Sequence, residues 1–258
     1  MPQTRYPIVL VHGMIAKDFR FWHAFRGIKE FLRAQDVTVY VTNQDGVGAV
    51  ATNAAQLKDE IMEILQKEHC DKVNLIAHSK GGVDCRHMIT HLDMGKHVAS
   101  LTTLSSPHHG SKLSEKILKI PKFMAKIVAF FYNLFYRICG DKTPDMLQLG
   151  HDLTPEAMAQ FNQNTPNVPC VFYQSYSSTV TKKDGITFIP CGITQRTEQG
   201  ATDGLVSVSS SQWGEYQGDM GNNLDHFKMV GLYGRKKKLA DVGRFYLYIT
   251  QQMQAKGF

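Results

Sequence analysis

The chain has little cysteine. Its five residues, Cys70, Cys85, Cys139, Cys170 and Cys191, form no Cys-x-x-Cys pair. An odd number without that spacing excludes a zinc ribbon and a full disulfide framework, leaving room for one bridge such as Cys170 to Cys191. A membrane-spanning helix needs roughly 20 apolar residues. The most apolar run, Pro121 to Cys139, is shorter and carries Lys126, so no transmembrane anchoring is expected. Internal repeats and low-complexity segments are absent. No secretory leader is expected within this numbering either, because MPQTRYPIVLVHG enters an apolar strand by residue 8 with no small-residue cleavage site behind it. Two compartments therefore stay open, cytoplasmic or secreted with the leader outside this numbering. Acidic residues are the minority, 23 against 29 Lys and Arg, giving a net charge of +6. Those cations are not interleaved with aromatics in a nucleic-acid motif, and the run Arg235 to Lys238 reads as a solvated face. No nucleic-acid partner is expected.

At 258 residues and 43% hydrophobic content the chain can bury one sizeable core, and a single domain over residues 1–258 is expected. Short apolar runs at Ile8 to Val11, Val37 to Val41, Val73 to Ala77, Leu101 to Leu104 and Val171 to Tyr173 alternate with amphipathic stretches. Between Asn53 and Glu68 the apolar positions Ala54, Leu57, Ile61, Ile64 and Leu65 follow a helical stripe. Such alternation predicts βαβ units and an α/β fold, with a mostly parallel sheet flanked by helices.

The stretch VNLIAHSKGG, residues 73 to 82, carries the chemistry. A buried β-branched run delivers Ser79 into a sharp turn between small residues, Ala77 two before and Gly81 two after, and a helical pattern follows. This is the pattern of a nucleophile elbow, in which strain exposes Oγ above the sheet and neighbouring backbone leaves no room for larger flanking side chains. A serine nucleophile needs a base. Of the 11 histidines, only His151 and His226 follow Ser79 by a long stretch, and His226, in GNNLDHFKMVG, sits in a polar loop near the C-terminus as this chain order requires. Asp184, Asp203, Asp219 and Asp225 precede it. Asp203 in GATDGLVS is favoured because a turn glycine follows it, whereas Asp225 adjoins the histidine and would aim away from it. The expected set is Ser79, Asp203 and His226, with Asp203 holding the imidazole tautomer. The main-chain N–H groups of Lys80 and of Met14, after the tight His12-Gly13 turn, would meet the oxyanion. Because Lys80 contributes its main chain, its ammonium is free to face solvent, and His78 is expected to point away from the nucleophile by strand alternation and to be structural.

With these residues in view the sequence resembles the bacterial true lipases, the Pseudomonas and Burkholderia type of triacylglycerol lipase in the α/β-hydrolase superfamily. YPIVLVHGM resembles their oxyanion segment and AHSKGG their nucleophile elbow. SSPHHGS at 105 to 111, LTPEAMAQFN at 153 to 162, ATDGLVSVSSSQWG at 201 to 214 and the LDHF loop follow in the same order. The resemblance implies the α/β-hydrolase fold, the same Ser79, Asp203 and His226, and hydrolysis of carboxylic esters, with glycerides as substrate class at an oil-water or membrane surface. It also implies a structural calcium, one ligand being an Asp two residues after the histidine. Here that position is Lys228, which cannot ligate a cation, so neither calcium nor any other metal or cofactor is expected. Its charge is expected to pair with a carboxylate, Asp184 being one choice. Zinc-binding relatives insert further His and Asp ligands, for which this chain is too short.

The least similar part is the segment from about 113 to 150. It holds IPKFMAKIVAFFYNLFYRIC, apolar on nearly every face, and such a helix must be buried, pack on a partner or meet lipid. A helical cap or lid is expected there, with Phe123, Ile127, Phe130, Phe131 and Leu134 supplying acyl-binding surface that opening would expose. An ordinary core helix would have the same composition. Two other functions share these residues: a thioesterase or acyltransferase on the same three groups, and a catalytically inactive lipid-binding protein.

Overall fold

A computed structural model describes residues 4–14, 24–180, 200–221, 224–233 and 236–258. Six strands form one sheet: β1 Ile8–Val11, β2 Val39–Val41, β3 Val73–His78, β4 Val98–Leu104, β5 Phe172–Ser177 and β6 Glu215–Asp219, in the spatial order β2-β1-β3-β4-β5-β6. Every pair is parallel, so each connection must cross over a face, and helices cover both. The sheet is built outward in two directions from β1 and β3. That reversal opens a crevice beyond their carboxyl ends, the place where α/β sheets bind ligands.

Strand alternation divides the core. Ile8, Leu10 and Ile76 point to one face, where they pack with Ile28 and Leu32 of α1 (Ile28–Arg33) and with Val242, Tyr246 and Ile249 of the C-terminal helix. Val9, Val11, Leu75 and Ala77 point to the other, against Leu57 and Ile61 of α2 (Val50–Glu68) and Cys85 and Met88 of α3 (Lys80–His91). Between β4 and β5 the chain runs through α4 (Lys112–Leu118), α5 (Lys122–Ile138), α6 (Met146–Asp152) and α7 (Pro155–Asn164). Pro121 stands just before α5, where its missing N–H costs nothing, and Thr154 caps α7 by accepting from the Ala157 N–H at 3.2 Å. A short α8 (Val208–Ser211) and the long α9 (Lys236–Ala255) complete the chain.

The base of α5 and α6 is fastened to the loop between β2 and α2. The Asp45 carboxylate accepts from the Lys142 N–H at 2.9 Å and from the Thr143 N–H and hydroxyl at 2.7 and 2.8 Å. In return the Asp141 carboxylate accepts from the Val47 N–H at 2.9 Å, and the Asp145 N–H reaches the Val47 carbonyl at 2.7 Å. On the other side Arg86, wholly buried in α3, lays its guanidinium 3.4 Å over the Trp213 ring and donates to Asn162 of α7 at 2.8 Å.

Candidate active site

Ser79 is the last residue before α3 and has φ 55° and ψ −134°. A non-glycine residue at positive φ is strained, and the reason it persists is visible in what surrounds it. The Ser79 N–H is held by the Leu104 carbonyl at 3.0 Å. A methyl group on Gly81 would come within 2.5 Å of the His12 carbonyl oxygen, and one on Gly82 within 2.2 Å of Ser106 Oγ. The small residues let α3 start directly against the end of β1. From the other side Gly13 presses on the turn, since a Cβ there would lie 2.7 Å from Ser79 Cβ and 3.2 Å from the Lys80 nitrogen. Met14 and Lys80 therefore flank Ser79, and both border the cavity above it.

Asp203 sits on a tight turn closed by the antiparallel bridge between Thr202 and Ser207. The Val180 N–H, just past β5, reaches the Thr202 carbonyl at 2.9 Å. One carboxylate oxygen accepts from the Leu205 and Val206 N–H groups at 2.9 and 2.8 Å; the other accepts from His226 Nδ1 at 2.6 Å. With Nδ1 as donor, Nε2 is left as an acceptor, and it faces Ser79 Oγ at 2.9 Å. The structure thus brings together Ser79, His226 and Asp203, residues spread over 147 positions of sequence. Asp225 is excluded from that role by its own bonds: its carboxylate accepts from the Phe227 and Lys228 N–H groups and from the Tyr233 hydroxyl. It also pairs with the Lys228 ammonium at 3.1 Å. Asp184 and Cys191 lie outside the described residues; Cys170 is an exposed free thiol.

Three expectations need correction. First, the Lys80 ammonium does not face solvent. Its side chain is 1% exposed and meets both Asp84 oxygens at 2.6 and 2.8 Å. Asn53 joins them, donating to Asp84 at 3.1 Å and to the Asp45 carbonyl at 2.6 Å. An i to i+4 spacing on α3 makes the ion pair, and α2 packed over α3 buries it. Even beside Lys80, burial raises the Asp84 carboxyl to about 6. Second, His78 is not directed away from the site. Alternation does place it on the face opposite α3, but that is the face on which the His226 loop packs. Its ring centroid lies 4.4 Å from that of His226, and both of its ring nitrogens are buried without a hydrogen-bond partner. Burial, then the neighbouring His226, holds its pKa well below the usual imidazole range, so His78 is neutral.

Third, the five apolar residues expected to line an acyl site face outward. Phe123, Ile127, Phe130, Phe131 and Leu134 are 46 to 67% exposed, which also rules out an ordinary core helix. The inner side of α5 instead presents Ala125, Val128 and Ala129 to an apolar cavity over Ser79 and His226, completed by Leu113, Leu118, Met146 and Leu153. Small residues inside and large ones outside leave an open volume under α5. Among the described residues no group of three or more His, Cys, Asp or Glu is placed to hold a metal ion. In the same set, no helix is long and apolar enough to cross a membrane.

Residues 7–165 match the family model described as palmitoyl protein thioesterase. Over 253 residues the chain is 33% identical to triacylglycerol lipase 2 of Saccharomyces cerevisiae, an alignment covering 90% of this chain and 73% of that one. It is 29% identical over 180 residues to a triacylglycerol lipase of Burkholderia plantarii, covering 64% of this chain and 49% of the relative, so it spans about half of that protein. Among solved structures the mature form of the Bacillus licheniformis lipase BlEst2 superposes with a TM-score of 0.71, covering 97% of this chain and 92% of that one. The identity there is 20%, and the likeness speaks for the fold.

Proposed function

The chain belongs to the lipases of the α/β-hydrolase superfamily and to the family described as palmitoyl protein thioesterase, and from that premise, a carboxylic ester hydrolase, we propose that Ser79 is its acyl-accepting nucleophile and that glycerides are its substrates. The Ser79 Oγ adds to the ester carbonyl while His226 Nε2 takes its proton. Asp203, already bonded to Nδ1, stabilises the imidazolium without accepting the proton itself. The tetrahedral oxyanion is met by the N–H of Met14, in the turn after β1, and by that of Lys80, at the start of α3 where helix amides have no internal acceptor. Collapse expels the alcohol, protonated by His226, and leaves the acyl group on Ser79. Water activated by the same imidazole then releases the acid.

The observation that carries this reading is the chain of contacts from Asp203 through His226 to Ser79, at 2.6 and 2.9 Å, opening into an apolar cavity. A hydrocarbon chain gains by burial in such a space, and the polar reacting centre lies at its floor. The helices α4 and α5 roof that cavity and act as a lid at a lipid-water surface. The calcium implied by the resemblance does not fit these residues: an ammonium bonded to Asp225 stands where a ligand would be needed. A thioester would be attacked in the same way, and the thioesterase family match favours keeping that second substrate class.

Purified Ser79→Ala is the test. Loss of the nucleophile in such a set costs on the order of 10⁶ in turnover, with thermal unfolding nearly unchanged. The wild type should also be labelled by a fluorophosphonate probe and the variant should not. Retention of a tenth of the activity would overturn the assignment, and absence of labelling would favour an inactive lipid-binding protein. Parallel assays on triglyceride, p-nitrophenyl esters and palmitoyl thioesters separate the substrate classes.

A further inference from the structure

We infer that the outer face of α4 and α5 is a docking surface for a bilayer containing anionic phospholipid. The apolar part of that face is a stripe. Phe123, Ile127, Phe130, Leu134 and Ile138 recur at spacings of three and four residues, and all stand exposed, Ile138 at 77%. Side chains at that spacing share one side of a helix. The opposite side carries Ala129 and Tyr136, both buried, so the helix is turned with its larger apolar residues to the outside. Contiguous exposed apolar surface of this kind marks an interaction site rather than an incidental surface residue.

Charge decides what meets it. Along one edge of the stripe Lys122, Lys126 and Arg137 form a row at the same helical spacing, with Asn133 between them bonded to the Met146 N–H at 2.9 Å. From 112 to 142 seven Lys or Arg stand against two acidic residues, Glu115 and Asp141, so about an eighth of the chain holds five of its six net positive charges. An apolar stripe bordered by lysine and arginine is the pattern of a helix lying in a membrane interface, its rings among the acyl chains and its ammonium groups among headgroup phosphates. A second copy of the chain is a poorer occupant. Two-fold pairing would set the same cationic row against itself, and like charges facing across an interface oppose association. A neutral oil droplet would cover the stripe and leave the cations without counter-charge.

Docked this way, the stripe lies in the lipid while Ala125 and Val128, on the inner side of the same helix, border the cavity that leads to Ser79. The protein would meet its substrate from the bilayer side. That last step rests on the proposed lipase function; the docking itself does not.

The experiment uses the full chain carrying Ser79→Ala, so that binding is read without hydrolysis, and measures co-sedimentation with vesicles. Phosphatidylcholine vesicles are compared with vesicles in which a third of the lipid is phosphatidylglycerol. Binding to the anionic vesicles should be tighter by about ten-fold or more at low ionic strength, and the difference should shrink as salt is added. Replacing Lys122, Lys126 and Arg137 by Gln should remove the preference, and replacement by Glu should reverse it. Phe130→Ser with Phe131→Ser should weaken binding to both vesicles. Thermal unfolding of each variant shows that it is folded, and the Gln set stands in if the Glu set is not. Equal binding to both vesicles, or none, would overturn the inference. So would a wild-type dimer in sedimentation that dissociates on changing Phe130 and Phe131. Failure of the wild-type chain to hydrolyse triglyceride, alongside intact anionic binding by the Ser79→Ala chain, would sink the lipase reading and leave the docking surface standing.

Discussion

Lys80 sits beside Ser79 with its ammonium buried against Asp84, and that arrangement makes stability depend on pH in a defined direction. Burial lifts the Asp84 carboxyl from 3.8 to about 6. A carboxyl whose folded pKa is raised binds its proton more tightly in the native state. Its contribution is therefore fully present below about pH 4 and is lost as the pH rises through 6. The shift corresponds to a loss of about 3 kcal/mol over that interval. We expect the double variant Lys80→Met with Asp84→Leu to lose this dependence, so that its stability relative to wild type improves between pH 4 and pH 7. Asp84→Ala alone, by leaving a buried ammonium without its partner, should cost about 3–5 kcal/mol. Urea unfolding at the two pH values reads both; an unchanged wild-type difference would contradict the first. Of this, the sequence disclosed the main-chain position of Lys80 and nothing of its side chain. An i to i+4 Lys-Asp pair is ordinary on a solvated helix, and only the cover provided by α2 and Asn53 turns it inward. His78 escaped for a related reason. Its parity on β3 was readable, but the loop that packs on that face comes from 147 residues after Ser79.

At the scale of elements, the strands showed themselves wherever they were buried. The run Ile8 to Val11 coincides with β1, and the runs at 73 and 101 lie within β3 and β4. The exception is β6, whose EYQGD is mostly exposed at the edge of the sheet and has no apolar run to announce it. The helix over 121 to 139 was equally plain, and α5 spans Lys122–Ile138. Its orientation was not, because a helix apolar on most sides does not declare which side faces in. Nor did any motif mark what fastens its base: Asp45 and its partners at 142 and 143 lie 97 and 98 residues apart. Removing that carboxylate strands two amides, a cost of about 1–3 kcal/mol paid by the local structure. Asp45→Ala should thus loosen residues 139–146, with amide hydrogen exchange there faster by about ten-fold while β1, β3 and β4 keep their protection. Uniformly faster exchange throughout the chain would mean that Asp45 supports the whole core and is no local fastening.

Over the whole molecule, the reversal of strand order at β1 and β3 fixes where chemistry can occur, and the loops that supply Asp203 and His226 must be held at that crevice from separate parts of the sheet. The loop from 224 to 233 is held by protein groups. The Asp225 carboxylate gathers two main-chain N–H groups, the Tyr233 hydroxyl and the Lys228 ammonium, which also lies over the Tyr233 ring. From the sheet side the Ser178 hydroxyl donates to the Leu224 carbonyl, and from α9 the Tyr246 hydroxyl donates to the Met229 carbonyl at 3.0 Å. These bonds hold the backbone on either side of His226, whose tautomer Asp203 sets, and we propose that the Lys228 ammonium stands where a divalent ion would otherwise cross-link the loop. A calcium ion present at a hundred times its dissociation constant would add about 2.7 kcal/mol to stability. For a chain near this size that amounts to a change in melting temperature of roughly 5 to 10 °C on its removal. We therefore expect melting by calorimetry, and hydrolysis of a soluble ester, to be the same in EDTA as in added calcium. A fall of several degrees in EDTA that calcium restores would show that the loop binds a cation after all. It would also show that the Lys228 to Asp225 pair does not take the place of one.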